Sequence, residues 1–174
     1  MTSNLKKEAS IKKQRKKMRL MCKRKTLSDM KELKFIDTYS NMINPLDYEF
    51  DVDTSRYYLI LGIQIRKGTP WLYIISGSDQ DPEVQVIPAL LFDFIWSYIP
   101  ADWKGRINEK SQEIEILPES LTTIEHWFEK YIEEEEETLK IVNDEINRIK
   151  LVYDDLMPPK EPEDPYAWPF EEYK

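Results

Sequence analysis

Asp102-Trp103-Lys104, with Asp93 or Asp81 upstream, is the grouping in this chain whose residue types suit metal-dependent hydrolysis. That chemistry needs acids to hold a divalent ion and a lysine near the attacking water. The spacing is permissive, however, and Asp102 stands two residues after Pro100, where a loop is expected. His126 is the single histidine and has no His-x-x-x-His partner, which excludes a multi-histidine metal site. Between Glu125 and Trp127 it reads as a surface or interface residue. Cys22 is the single cysteine, so no intramolecular disulfide and no structural cysteine-zinc site can form. Neighbouring cations favour its thiolate, but its place in a basic arm reads as an incidental exposed thiol in a reducing cytoplasm. The four glycines form neither a phosphate-cradling loop nor a dinucleotide fingerprint, which excludes ATP, GTP and NAD enzymes. The expectation is a non-enzymatic protein with no catalytic residue, cofactor or resident metal.

Charge is the stronger signal. The first 25 residues hold eleven Lys or Arg and one acid, and the remaining 149 hold fourteen bases and 32 acids. A strongly basic arm is therefore joined to a strongly acidic body. Lys12, Lys13, Arg15, Lys16, Lys17, Arg19, Lys23, Arg24 and Lys25 are the candidates for nucleic-acid contact, since each base that neutralises a phosphate releases counterions. No zinc finger, RRM or helix-turn-helix pattern accompanies them. The same arm could instead fold onto the chain's own acids, a contact that salt would weaken. On the acidic side, Glu133–Glu137 is an unbroken run of carboxylates. Glu129, Glu133, Glu134, Glu136, Glu137 and Asp144 are the candidate contacts for a basic partner protein, with Glu136→Lys140 giving i,i+4 support.

The elements that must position these residues follow from periodicity. Residues 1–25 favour a helix by composition but repel themselves, so disorder or an induced helix is expected. Thr26 and Asp29 read as a capping box for a helix ending at Asn44-Pro45. Tyr57–Arg66 alternates apolar Tyr57, Leu59, Leu61, Ile63 and Ile65 against the rest, which predicts a half-buried strand. Lys67–Pro70 is a turn, Trp71–Ser76 the return strand and Glu83–Ile87 a third strand. A helix is expected from Pro88 to Pro100, a polar loop over Asp102–Lys110, and an edge strand over Glu113–Leu117. Thr122 and Glu125 read as a second capping box, opening one helix of 36 residues. Its heptad positions are Leu121, Phe128, Glu135, Val142, Ile149 and Leu156 with Glu125, Ile132, Leu139, Ile146 and Tyr153, and Glu135 interrupts the stripe. Residues 158–174 hold five prolines with Tyr166, Trp168, Phe170 and Tyr173, an acidic segment expected to strap across the body or to meet a partner groove. No stretch approaches a membrane span, and no apolar region follows the charged start as in a secretory signal.

The expected architecture is α+β: a small antiparallel β-meander of three to four strands packed by helices, with a long amphipathic C-terminal helix. The expected organisation is a basic arm (1–25), one α+β domain (26–157) and a Pro/aromatic acidic tail (158–174). No motif assigns a family. In size and charge the chain is similar to small acidic immunity or antitoxin proteins of bacterial toxin systems, which bind by surface complementarity. That resemblance implies an inhibitor without catalytic residues; the acidic surface centred on the long helix implies a basic protein partner, the cysteine usage a cytoplasmic setting, and the helix either a monomer or a homodimer formed through it. The alternative is a regulatory protein that binds DNA or RNA through the basic arm.

Overall fold

The computed structural model describes residues 19–28, 39, 42–43, 47–54, 56–78, 80–94, 99–108 and 112–154. They form an α+β fold around one antiparallel sheet of seven strands. The strands are β1 (Arg19–Cys22), β2 (Tyr57–Arg66), β3 (Thr69–Gly77), β4 (Pro82–Pro88), β5 (Phe92–Phe94), β6 (Trp103–Asn108) and β7 (Glu113–Pro118). The order β4-β3-β2-β1-β5 gives the main sheet, and β7 pairs with both β2 and β6. The sheet is thus larger than a three- or four-stranded meander. Its extra strands come from the basic arm (β1), from the expected helix after Pro88 (β5) and from the expected polar loop (β6). Glu113–Pro118 is a strand as predicted, but it lies between two others rather than at an edge. The segment after Pro88 makes only a 3-10 turn at Ala89–Leu91 before extending.

β2 organises the sheet. One edge pairs with β3 along its length; the other pairs first with β1 through Tyr57–Leu59 and then with β7 through Ile63–Ile65. Between Ile60 and Gly62 the register shifts at a β-bulge. One extra residue reverses the face taken by every later side chain. Leu59 and Leu61 therefore pack into one core with Tyr73, Ile75 and Leu117, whereas Tyr58, Ile60 and Ile63 pack into the other. The simple alternation expected for Tyr57–Ile65 does not survive the bulge. At the far end, Lys67 and Gly68 both have positive φ (47° and 80°), the two-residue turn whose twist suits a hairpin.

Both faces of the sheet are covered. On one face Leu20, Cys22, Tyr58, Ile60, Leu72, Ile74, Leu91 and Phe92 are buried with Leu27, Tyr39, Phe50 and Val52. Cys22 is fully buried, and its thiol donates to the Arg24 carbonyl at 3.2 Å. Burial pushes its pKa up, so it is neither exposed nor activated. Most of the helix expected over 26–43, Asp29 included, lies outside the described residues, as does the tail 158–174.

The other face carries three helices: α1 (Glu119–Thr122), α2 (Trp127–Ile132) and α3 (Glu136–Asp154). These replace the single 36-residue helix. Thr122 ends α1, its hydroxyl donating to the Glu119 carbonyl at 2.7 Å, so no capping box forms with Glu125. α2 ends in a Schellman closure: Glu134 N–H donates to Tyr131 O at 3.1 Å and Glu135 N–H to Lys130 O at 2.9 Å. Glu134 takes the left-handed position that glycine usually fills (φ 59°). A continuous helix would stack Glu129 on Glu133 and Glu133 on Glu137, and like charges four apart destabilise it. Restarting the helix puts Glu136 and Glu137 in a first turn, where the helix dipole favours them. The buried face of α3 is Thr138, Val142, Ile146 and Ile149, at spacings of four, four and three. They meet Leu121, Trp127 and the sheet, while Ile132, a heptad position, is 62% exposed.

Two substitutions test this packing in opposite directions. A Cβ at Gly62 would overlap Leu117 Cδ2 and lie 3.2 Å from the Tyr73 ring, so Gly62→Ala is expected to destabilise by about 1–3 kcal/mol. Glu134→Gly removes left-handed strain and is expected to stabilise by about 1 kcal/mol. Denaturant midpoints moving down and up respectively, at unchanged slope, check both.

Candidate functional site

Charged residues inside strands converge at one end of the helix-covered face. After the bulge, Gln64 and Arg66 of β2 point the same way as Glu113 and Glu115 of β7 and Arg106 of β6, because Gln64 pairs with Glu115 and Glu115 with Arg106. Glu115 is the hub. Its carboxylate accepts from the Tyr73 hydroxyl at 2.7 Å and from Arg106 Nε at 3.1 Å, with a shorter bond from Arg106 Nη2. Arg106 Nη1 then donates to the carbonyls of Ile124 (2.6 Å) and Thr122 (3.3 Å). One guanidinium thereby ties the loop between α1 and α2 to the sheet. Gln64 is 5% exposed; it accepts from Arg66 Nε at 2.6 Å and donates to Glu113 at 3.4 Å. Arg66 also lies over the Trp71 ring, 5.5 Å from its centroid.

These groups line a cleft of about 680 Å³ whose other walls are Asn108, Trp127, Phe128 and the exposed Glu125, His126 and Glu129. His126 is a surface residue in a left-handed conformation (φ 54°), 3.7 Å from Glu125. The cleft's charges are largely spent on one another: Arg106 on Glu115 and two carbonyls, Arg66 on Gln64. Burial, and then the facing Glu115 carboxylate, push the Tyr73 hydroxyl above its ordinary value. The network is a clamp between layers.

The sequence-derived candidates separate. Glu129 lies on α2 at the cleft rim. Glu133 and Glu134 lie in the turn after it, and Glu136 and Glu137 open α3. Asp144 is exposed on α3 two turns further on. Within the run, Glu135 is engaged: it accepts from the Thr138 hydroxyl at 2.6 Å and faces Lys130 at 3.7 Å. Glu133, Glu134, Glu136 and Glu137 are exposed and in no ion pair among the described residues, so the Glu136–Lys140 bridge does not form there. Of the basic candidates, Lys12, Lys13, Arg15, Lys16 and Lys17 lie outside the described residues. Arg19 begins β1, Arg24 is exposed, Lys23 faces Asp93 at 3.4 Å and Lys25 faces Glu49 at 3.4 Å. Asp102 pairs with Arg148 at 2.8 Å, Asp93 with Lys23, and Asp81 lies in the turn before β4; the three are not brought together. Among the described residues no group of three or more His, Cys, Asp or Glu could hold a metal ion, and no helix is long and apolar enough to cross a membrane. No protein family, curated protein or solved structure matches this chain.

Arg106→Ala leaves a carboxylate of 15% side-chain exposure without its cation, and is expected to cost about 2–3 kcal/mol. A denaturant titration measures it, and Glu115→Gln should recover part of the loss in the double variant. The tyrosines give a second test. Tyr73, Tyr39 and Tyr58 all have hydroxyl pKa values raised, chiefly by burial. A raised folded-state pKa gives stability that is complete below the unfolded value, about 10, and is lost as pH climbs past it. Unfolding free energy should therefore fall above about pH 10, and Tyr73→Phe should flatten that fall.

Proposed function

We propose that the protein is a non-enzymatic binding module, of the immunity- or antitoxin-like kind, that meets a basic protein partner through the acidic turn between α2 and α3. The observation that carries this reading is the set of four exposed carboxylates, Glu133, Glu134, Glu136 and Glu137, that are in no ion pair among the described residues. The turn is closed by the Glu134 and Glu135 amides donating to the Tyr131 and Lys130 carbonyls and by the buried Thr138 hydroxyl donating to Glu135, so the charges are presented on a fixed frame. Ile132, 62% exposed between Tyr131 and Glu133, supplies an apolar anchor beside them. Opposed potentials speed encounter, whereas a buried apolar contact sets how long a complex lasts. A toxin face that otherwise receives nucleic acid is one such basic surface. The nucleic-acid reading of the arm ranks second because Lys23 and Lys25 already face body acids.

The test is affinity purification from native cells with nuclease present, followed by stopped-flow binding of the recovered partner. Changing Glu133, Glu134 and Glu137 together to Lys is expected to lower the association rate at least tenfold at low salt and to flatten its salt dependence. Ile132→Asp should act on dissociation instead. An association rate indifferent to the triple reversal removes the acidic turn from the interface. Capture that nuclease abolishes favours the arm.

A further inference from the structure

The face opposite the helices has an open corner. Ile65 of β2 pairs with Ile114 of β7, and Ile114 with Ile107 of β6, so three isoleucines stand directly opposite one another on one face. Ile65 is half-buried, Ile114 is 36% exposed and Ile107 is 66% exposed. In the next row Ile63 and Ile116 pack against the core, and Gly105 pairs with Ile116. A Cβ at Gly105 would meet nothing within 4 Å. The row therefore forms a shallow apolar trough, floored by Gly105 and Ile116 and walled by Ile107 and Ile114. A strand glycine leaves backbone unshielded, and an aromatic ring laid over it is a recurrent remedy.

We propose that residues 158–174 of the same chain occupy this trough, with the rings of Tyr166, Trp168 and Phe170 over Gly105 and the isoleucines. Three observations select this occupant. Spacing of two puts the three rings on one side when the segment is extended. The reach is sufficient: α3 passes β6 where Arg148 meets Asp102 at 2.8 Å, and the fourteen residues from Asp154 to Trp168 span up to ~46 Å. Ile107 lies five residues beyond Asp102, about 17 Å along a strand. The charges also match. Lys67 flanks the corner, exposed and in no ion pair among the described residues, and the segment brings Glu161, Glu163, Asp164, Glu171 and Glu172. Its five prolines remove backbone donors, which disfavours strand addition at β6 and favours face packing. A second copy pairing through β6 is less favourable, because it would bring Lys104 and Arg106 toward their own counterparts.

The test uses the full chain with a photo-crosslinking phenylalanine in place of Trp168. Expected are cross-links within one chain to residues 104–116, lost at least fivefold in Ile107→Asp while the melting temperature stays within a few degrees. Deleting 158–174 should raise binding of an apolar dye several-fold, and Ile107→Asp should cancel that rise. Cross-links to the helices, cross-links that join two chains, or a dye response blind to the deletion would each overturn the proposal. This outcome is independent of the acidic turn, whose frame lies on the opposite face.

Discussion

The single extra residue at Leu61 governs the molecule. Without the bulge, β2 would offer one apolar edge row and one mixed row along its whole length, and a single layer would suffice to cover it. With it, the strand gives Leu59 and Leu61 to the helices and then Gln64 and Arg66 to that same face, while Ile60, Ile63 and Ile65 turn to the other. The helix-side core is therefore apolar at one end and ionic at the other. Gly62 follows from the same constraint, since Leu117 and Tyr73 fill the space where its side chain would stand.

The ionic end then limits how the helices dock. Burying Glu115 is costly unless it is paired and hydrogen-bonded. Arg106 meets that need with two nitrogens and spends the third on the carbonyls of Thr122 and Ile124. The fork of a guanidinium can make this triple connection, whereas an ammonium cannot match its geometry. The loop so held places His126 in its left-handed conformation, and Trp127 enters the core directly after it. Position along the sheet, clamp, loop and helix start form one causal chain.

This explains what was legible in the sequence and what was not. The Tyr57–Arg66 strand, its hairpin with Trp71–Ser76 and the Glu83–Ile87 strand were readable because local alternation and turn residues decide them. The α+β class followed. β1 was hidden because Arg19, Met21 and their neighbours have helical propensity, and pairing to Tyr57–Leu59 overrides it. β6 was hidden because Lys104, Gly105 and Asn108 read as loop, although they pair in register with β7 along their full length. The one local mark of the bulge is Gly62, a glycine inside the strand that also fits as one position of the plain alternation, so the convergence of Gln64, Arg66, Glu113, Glu115 and Arg106 was not apparent. The usable signal was polar side chains inside apolar strands: the carboxylate of Glu115 between two isoleucines, and the amide of Gln64 between two more. The long helix failed for a different reason. The heptad count was sound over Val142, Ile146 and Ile149, but it was carried through five carboxylates that no continuous helix accommodates well.

That run bears on why the acidic turn exists. Glu136 and Glu137 sit at the start of α3, where the dipole favours them. Glu133 and Glu134 sit at the end of α2, where the dipole opposes them, and Glu134 adds a left-handed backbone as well. Lys or Asn at the first and Gly at the second would serve the fold better on both counts. Among the described residues, Glu135 alone of the run makes side-chain contacts that help hold the turn, through Thr138 and Lys130. Four carboxylates are thus kept where folding gains little from two of them and loses from the other two. The proposed contact with a basic surface would offset that cost, because opposite charge approaching this turn relieves both the mutual repulsion of the carboxylates and their clash with the end of α2.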